Sequence, residues 1–132
     1  MEKVLGCGID IEELNRFNSK IPTHSEHSAF AEMVYSDAEI QNNLAIKPYL
    51  TFPLGFSCKE AFFKAVGVSW TNSNISWKDI ELIFNDDNNL HDFTIRLSGY
   101  ARILYNKIRC RNIISSLEYN NEFVIFKVIL LS

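Results

Sequence analysis

The 132-residue chain has little of what marks several classes of function. Its three cysteines, Cys7, Cys58 and Cys110, lie far apart, with no Cys-x-x-Cys pair among them. Neither a zinc site nor a disulfide framework is indicated, and free thiols of this kind suit a reducing compartment. No stretch approaches the roughly twenty apolar residues that cross a bilayer. The opening Met-Glu-Lys-Val-Leu lacks the apolar run of a signal peptide. The expected location is therefore the cytoplasm, with no membrane partner. Basic residues are dispersed and the net charge is −3, so no concentrated cationic face is available for a phosphate backbone. Nucleic acid is excluded as the main partner, but a small phosphorylated ligand needs only a few placed cations. His24 and His27 stand three apart in a polar segment with no third ligand nearby, which reads as solvated side chains. There are no repeats, low-complexity tracts or linkers, and residues 1–132 are expected to form a single domain.

What the chain does have is apolar mass. Hydrophobic residues make up 47% and phenylalanines number ten, enough to bury a real core. Residues 4–11 read as a first strand, on which Asp10 and Glu12 share one face while Ile9 and Ile11 share the other. A short helix is expected over 12–18 and another over 26–35. Ser36 and Glu39 then form a capping box that opens a fresh helix through about Leu44. Lys47-Pro48 ends it. A long helix follows, with Pro53 expected in its first turn and Gly67 as its stop. Residues 75–84 and 93–97 alternate as strands around a polar turn, and Ser98 can cap a helix through about Lys107. Residues 113–117 and 123–131 close the chain as a hairpin, the last run apolar enough to be a central strand. The fold class expected is α+β, antiparallel strands packed against a long central helix.

On that helix Phe52, Phe56, Glu60, Phe63 and Gly67 fall on one stripe at 4-4-3-4 spacing, which is expected to face the interior. A carboxylate on such a stripe needs a cation, a metal or several donors beside it. Lys59 and Lys64 flank Glu60. The pattern alone leaves two readings open: a solvated i,i+4 ion pair, or one side of a cation site whose other side is Asp10. Hard carboxylate oxygens without His or Cys suit Mg²⁺, which keeps water and phosphate oxygens in the rest of its shell.

Four motifs occur in order: Gly8-Ile9-Asp10-Ile11-Glu12-Glu13-Leu14-x-Arg16-Phe17, Ser36-Asp37-Ala38-Glu39, Phe56-x-x-Lys59-Glu60-Ala61-Phe62-x-Lys64-Ala65-x-Gly67 and Trp77-x-Asp79-Ile80-Glu81. Together they resemble the 4′-phosphopantetheinyl transferases of the small, holo-acyl-carrier-protein synthase type. The resemblance implies transfer of the phosphopantetheine arm of coenzyme A to a serine of an apo acyl-carrier protein, releasing adenosine 3′,5′-diphosphate. It implies Mg²⁺ held by Asp10 and Glu60, which are also the catalytic residues. It further implies coenzyme contacts at Lys59, Lys64, Phe56 and Ser116, carrier-protein contacts at Arg16 and Phe17, and a homotrimer. Three departures stand against a simple transfer of roles. Gly55 occupies the position of a family Arg, Asp86-Asp87-Asn88-Asn89-Leu90 replaces a Gly-Lys-Pro turn, and Ile114-Ser115-Ser116-Leu117-Glu118 lacks the family's histidine. Losing a phosphate contact weakens binding by roughly 1–3 kcal/mol. The alternatives are a homologue that binds coenzyme A or a carrier protein without transfer, and a plain interaction domain whose Lys59, Glu60 and Lys64 form a surface ion-pair row.

Overall fold

The computed structural model describes residues 2–69 and 71–132. Strand β1 (Val4–Glu13) runs into a 3₁₀ turn (Leu14–Phe17), followed by helices α1 (Ala29–Val34), α2 (Asp37–Ala45) and α3 (Pro48–Val66). A second 3₁₀ turn (Trp77–Asp79) leads into β2 (Ile80–Phe84) and β3 (Phe93–Leu97), then α4 (Gly99–Lys107), β4 (Asn112–Tyr119) and β5 (Phe123–Leu131). β1, β5 and β4 form one antiparallel sheet with β5 in the middle, and β2 and β3 form a separate hairpin. The apolar closing run is thus the central strand, as its continuous pattern requires. The α+β architecture expected from the sequence holds.

The elements differ from expectation mainly at their starts. Both arms of the capping box form at α2, with Glu39 N–H donating to Ser36 Oγ at 3.2 Å and Ser36 N–H donating to Glu39 Oε1 at 3.1 Å. α3 begins several residues before Pro53. Lys47 takes a left-handed conformation (φ 39°), which turns the chain sharply enough for Pro48 to open the helix at once. The N–H groups of Leu50 and Thr51 bond to the Lys47 carbonyl, so Pro53 lies inside the helix instead of in its first turn. The strand expected over 75–84 starts only at Ile80, because Ser76 and Asp79 cap the 3₁₀ turn ahead of it. The helix expected over 12–18 is the shorter 3₁₀ turn. At the other end of α3, Gly67 closes the helix with φ 75° and its N–H on the Phe63 carbonyl at 3.0 Å, a conformation that suits glycine. Part of the polar link over 69–74 lies outside the described residues.

α3 is the centre of the molecule and is buried nearly all round, as its apolar composition on every face predicts. The expected interior stripe is therefore corrected. Phe52 and Phe63 are buried, but Phe56 and Glu60 are only half-buried and Lys64 is exposed, so this edge is the helix's most open one. Phe56 packs into an aromatic group, 5.2 Å from the Trp77 ring and 5.7 Å from Phe17.

The approach of α3 to β1 depends on two glycines. A Cβ at Gly6 would sit 2.0 Å from the Ala65 carbonyl oxygen, and one at Gly8 would sit 2.0 Å from that of Ala61. Both obstacles are backbone, which cannot swing aside. Gly8→Ala is expected to force strand and helix apart and to destabilise the fold by roughly 1–3 kcal/mol or more, read as a lower urea midpoint. An unchanged midpoint would show that the contact is not close in solution.

Candidate active site

With side chains alternating along β1, Gly6, Gly8, Asp10 and Glu12 point at α3 while Leu5, Cys7, Ile9 and Ile11 point away. The glycines bring the helix in, and the next two positions on that face are carboxylates. Asp10 is buried, at 6% exposure. Ser57 Oγ donates to its carbonyl at 3.0 Å and ties strand to helix. Lys64 Nζ donates to Asp10 Oδ1 at 3.1 Å and to the Ile9 carbonyl at 3.0 Å. Asp10 Oδ2 is buried and, apart from the Glu12 carboxyl, which can donate to Asp10 only when protonated, meets no donor among the described residues. Glu60, one turn before Lys64 on the open edge of α3, is close enough for its charge and that of Asp10 to act on each other. The structure thus brings Asp10, Glu60 and Lys64 together.

Glu12 joins them. Its carboxyl is pushed up to about 8, first by burial, then by the hydrogen bond and charge of Asp10, then by the charge of Glu60, with Lys64 opposing. Burial, and after it Asp10, also raises Glu60, against Lys64. Glu12 was legible as the second carboxylate of Asp-x-Glu on one strand face, but its part in the cluster with Asp10 and Glu60 was not. Among the described residues no three acidic, histidine or cysteine side chains converge tightly enough, as they stand, to hold a metal by protein atoms alone.

A stability signature follows. The folded chain keeps on Glu12 a proton that the unfolded chain releases near the ordinary value of 4.5. This contribution to stability is complete below that value and is lost as pH rises through about 8. In chelator-treated protein the melting temperature is expected to fall between those limits, and Glu12→Gln should make the decline shallower. An identical slope in the variant would remove Glu12 from the cluster.

Other residues singled out in the sequence land elsewhere. Lys59 is fully buried and points to the opposite side of α3 from the cleft. Its ammonium donates to Glu39 Oε1 at 2.7 Å, to the Trp77 carbonyl at 3.0 Å and to the Ile80 carbonyl. An ammonium has three protons, and all are used, so Lys59 has none for a phosphate. Glu39, in the sequence only the far arm of a capping box, is its buried counter-ion and also accepts the Leu82 N–H at 3.2 Å. Phe17 is 2% exposed and packs on Phe30 and Phe56, so it offers no surface to a carrier protein. Arg16 is open to solvent, 3.6 Å from Glu13. Ser116 pairs in register with Lys127 and stands on the face of the sheet away from Asp10, so within one chain it does not join the site. Phe56 borders the open edge through its aromatic contacts. A side chain at Gly55 would leave toward Tyr35 Cε1 at 3.4 Å, with Asn43 and Glu39 beyond, so the position that departs from the family pattern faces the core.

Comparison with known proteins identifies the family. The profile of the 4′-phosphopantetheinyl transferase superfamily matches residues 6–117. A holo-[acyl-carrier-protein] synthase of Geobacter metallireducens is 29% identical over 129 residues, 96% of this chain and 97% of the relative. The crystal structure of the Bacillus anthracis holo-(acyl-carrier-protein) synthase in complex with CoA (3′,5′-ADP) superposes with a TM-score of 0.72 at 25% identity, covering 98% of this chain and 97% of the other. The Neisseria meningitidis holo-[acyl-carrier-protein] synthase superposes with a TM-score of 0.78 at 22% identity, over 97% and 98% of the two chains, and shares the fold. With motifs, architecture and profile in agreement over most of its length, the chain belongs to the 4′-phosphopantetheinyl transferase superfamily, in its holo-acyl-carrier-protein synthase type.

Proposed function

We propose that the chain transfers the 4′-phosphopantetheine arm of coenzyme A to a serine of an acyl-carrier protein and releases adenosine 3′,5′-diphosphate. The observation that carries this reading is the buried Asp10, half-satisfied by Lys64 and flanked by Glu60 and Glu12 at the edge of α3. The buried Asp10 Oδ2, which no lysine or backbone N–H reaches, and an all-oxygen donor set fit Mg²⁺, which takes one or two protein carboxylates and fills its shell with water and phosphate oxygens. Asp10 and Glu60 are the residues that would hold it. When bound, the ion supplies charge to the diphosphate of the coenzyme.

The chain's own groups account for the rest. The serine oxygen forms a bond to the β-phosphorus as the bond to the leaving adenosine diphosphate breaks. Glu60 is the carboxylate proposed to accept the serine proton; the upward push on it from burial and from Asp10 belongs to the metal-free chain. Lys64 spends two of its three protons on Ile9 and Asp10, and the third remains for a phosphate oxygen. Arg16, exposed at the end of the 3₁₀ turn, is the residue proposed to meet the carrier protein.

Self-association belongs to the same reading. The outer face of the three-stranded sheet leaves Ile9 56%, Ile11 57% and Ile114 51% exposed. Such an apolar face calls for a partner, and a second and third copy of the chain are the partners proposed.

The test is to incubate the protein with apo carrier protein, coenzyme A and Mg²⁺ and to look for a carrier mass gain of one phosphopantetheine. No gain with several carriers, while coenzyme A still binds, would favour the second reading, a binding homologue without transfer. That reading draws support from Leu117 and Glu118 standing where the family motif would end in its hydroxyl residue and histidine.

A further inference from the structure

A cavity of about 320 Å³ lies between α4, β3 and the start of β4 and shares no residue with the cleft of Asp10, Glu60 and Lys64. Phe93, Ile95, Leu97 and Ile113 give it an apolar wall, and Arg102, Tyr105, Arg111 and Ser115 add polar groups. None of its lining residues is acidic, in a chain whose net charge is −3. Neither Arg102 nor Arg111 has a carboxylate partner among the described residues. Arg102 lies over the Tyr105 ring at 5.0 Å. That contact uses the flat face of the guanidinium and leaves its edge N–H groups free for an anion.

The arginine on the other element is held by a rigid turn. Arg109 adopts φ 60°, uncommon for a residue with a side chain. Its N–H bonds to the Asn106 carbonyl, that of Cys110 to Tyr105 and that of Arg111 to Leu131. Cys110 is buried beneath, its Sγ donating to the Asn112 carbonyl at 3.3 Å. The N–H groups of residues 109–111 are therefore all engaged, and the backbone that carries Arg111 needs little ordering when a ligand arrives. The two open strand edges of β3 and β4 bound the same space, since each has a neighbour on one side only.

We infer that this cavity binds a small organic anion, a phosphate or carboxylate head between Arg102 and Arg111 with an apolar body against Phe93, Ile95 and Ile113. Two guanidiniums without counter-ions select the head, because they donate paired N–H groups to planar or tetrahedral oxyanions. The apolar wall selects the body, and the volume lies within the range of small-ligand sites. The inference does not depend on the transfer reaction.

Phenyl phosphate serves as the probe, titrated into the isotope-labelled full chain and followed by amide chemical shifts. Saturable shifts confined to Tyr105, Asn112, Ser115 and their neighbours are expected. Arg102→Gln with Arg111→Gln should weaken binding by roughly tenfold or more. Ser115→Asp, which places a carboxylate among the lining residues, should do the same if the double variant folds poorly. Inorganic phosphate should bind more weakly than phenyl phosphate, and benzyl alcohol should not bind. Shifts centred on Asp10 and Glu60, undiminished binding by either variant, or equal binding of inorganic phosphate would each overturn the proposal.

Discussion

Asp10→Asn is expected to reduce phosphopantetheine transfer by roughly 10²–10³-fold or more while leaving the fold at least as stable as before. Asparagine keeps the shape and can still accept from Lys64, so the tie to α3 survives. What disappears is the negative charge at the buried centre of the cluster. Asp10's charge raises both Glu12 and Glu60, so its removal lets both carboxyls fall back toward the ordinary range. Chelator-treated Asp10→Asn should therefore lose less stability than the parent as pH rises, the pattern of a site that holds strain for function. The parent chain should gain thermal stability from Mg²⁺ and the variant should not, because an ion that binds only the folded state stabilises it by mass action. A transfer rate that stays at the parental value would remove Asp10 from the mechanism.

Lys59→Met carries the other large expectation, and it concerns the fold. Glu39 is fully buried, and burial pushes its carboxyl up while Lys59 and the N–H groups of Ser36 and Leu82 pull it back. Without Lys59 the charge is stranded, the Ile80 carbonyl loses the ammonium, and the Trp77 carbonyl keeps only its bond from the Ile80 N–H among the two described for it. Breaking a buried pair on one side costs about 3–5 kcal/mol, a large part of the stability of an ordinary domain. The variant should be mostly unfolded or far less stable at neutral pH. It should recover as pH falls, because a protonated Glu39 needs no counter-ion, and the benefit is lost again as pH rises through its raised folded-state value. Glu39→Leu combined with Lys59→Met should regain most of the loss, since an apolar pair of similar volume replaces the ion pair. Denaturant midpoints at two pH values check all three statements. A midpoint for Lys59→Met equal to the parent's would show that the pair is not buried in solution.

Much of the architecture was open to local reading. The capping box of Ser36 and Glu39, the stop at Gly67, the alternation of β2 and β3 and the apolar run of β5 are all short-range signals, and each one formed. The errors arose where local signals compete. Pro48 and Pro53 can both open a helix, and only the left-handed turn at Lys47 decides between them. Along α3 the 3.6-residue period carries little information when every face is apolar, so the stripe of Phe56 and Glu60 was assigned inward when it lies at the open edge.

For the site the division is sharper. Asp10, Glu12, Glu60 and Lys64 were named by residue type and spacing; the strand period put Asp10 and Glu12 on one face, while the helix period left the face of Glu60 and Lys64 undecided. The order of the four motifs determined the family. Only the tertiary structure decided which lysine serves which carboxylate. Lys59 and Lys64 look alike beside Glu60 in one dimension, yet one is enclosed by α2 and β2 and the other reaches Asp10 across β1. Glycines at 6 and 8 are what close that gap, since only a side chain of no volume lets the backbone of α3 lie against the strand. Fifty residues of sequence separate the two carboxylates proposed to hold the metal. Their meeting is a property of that packed contact, which no local pattern encodes.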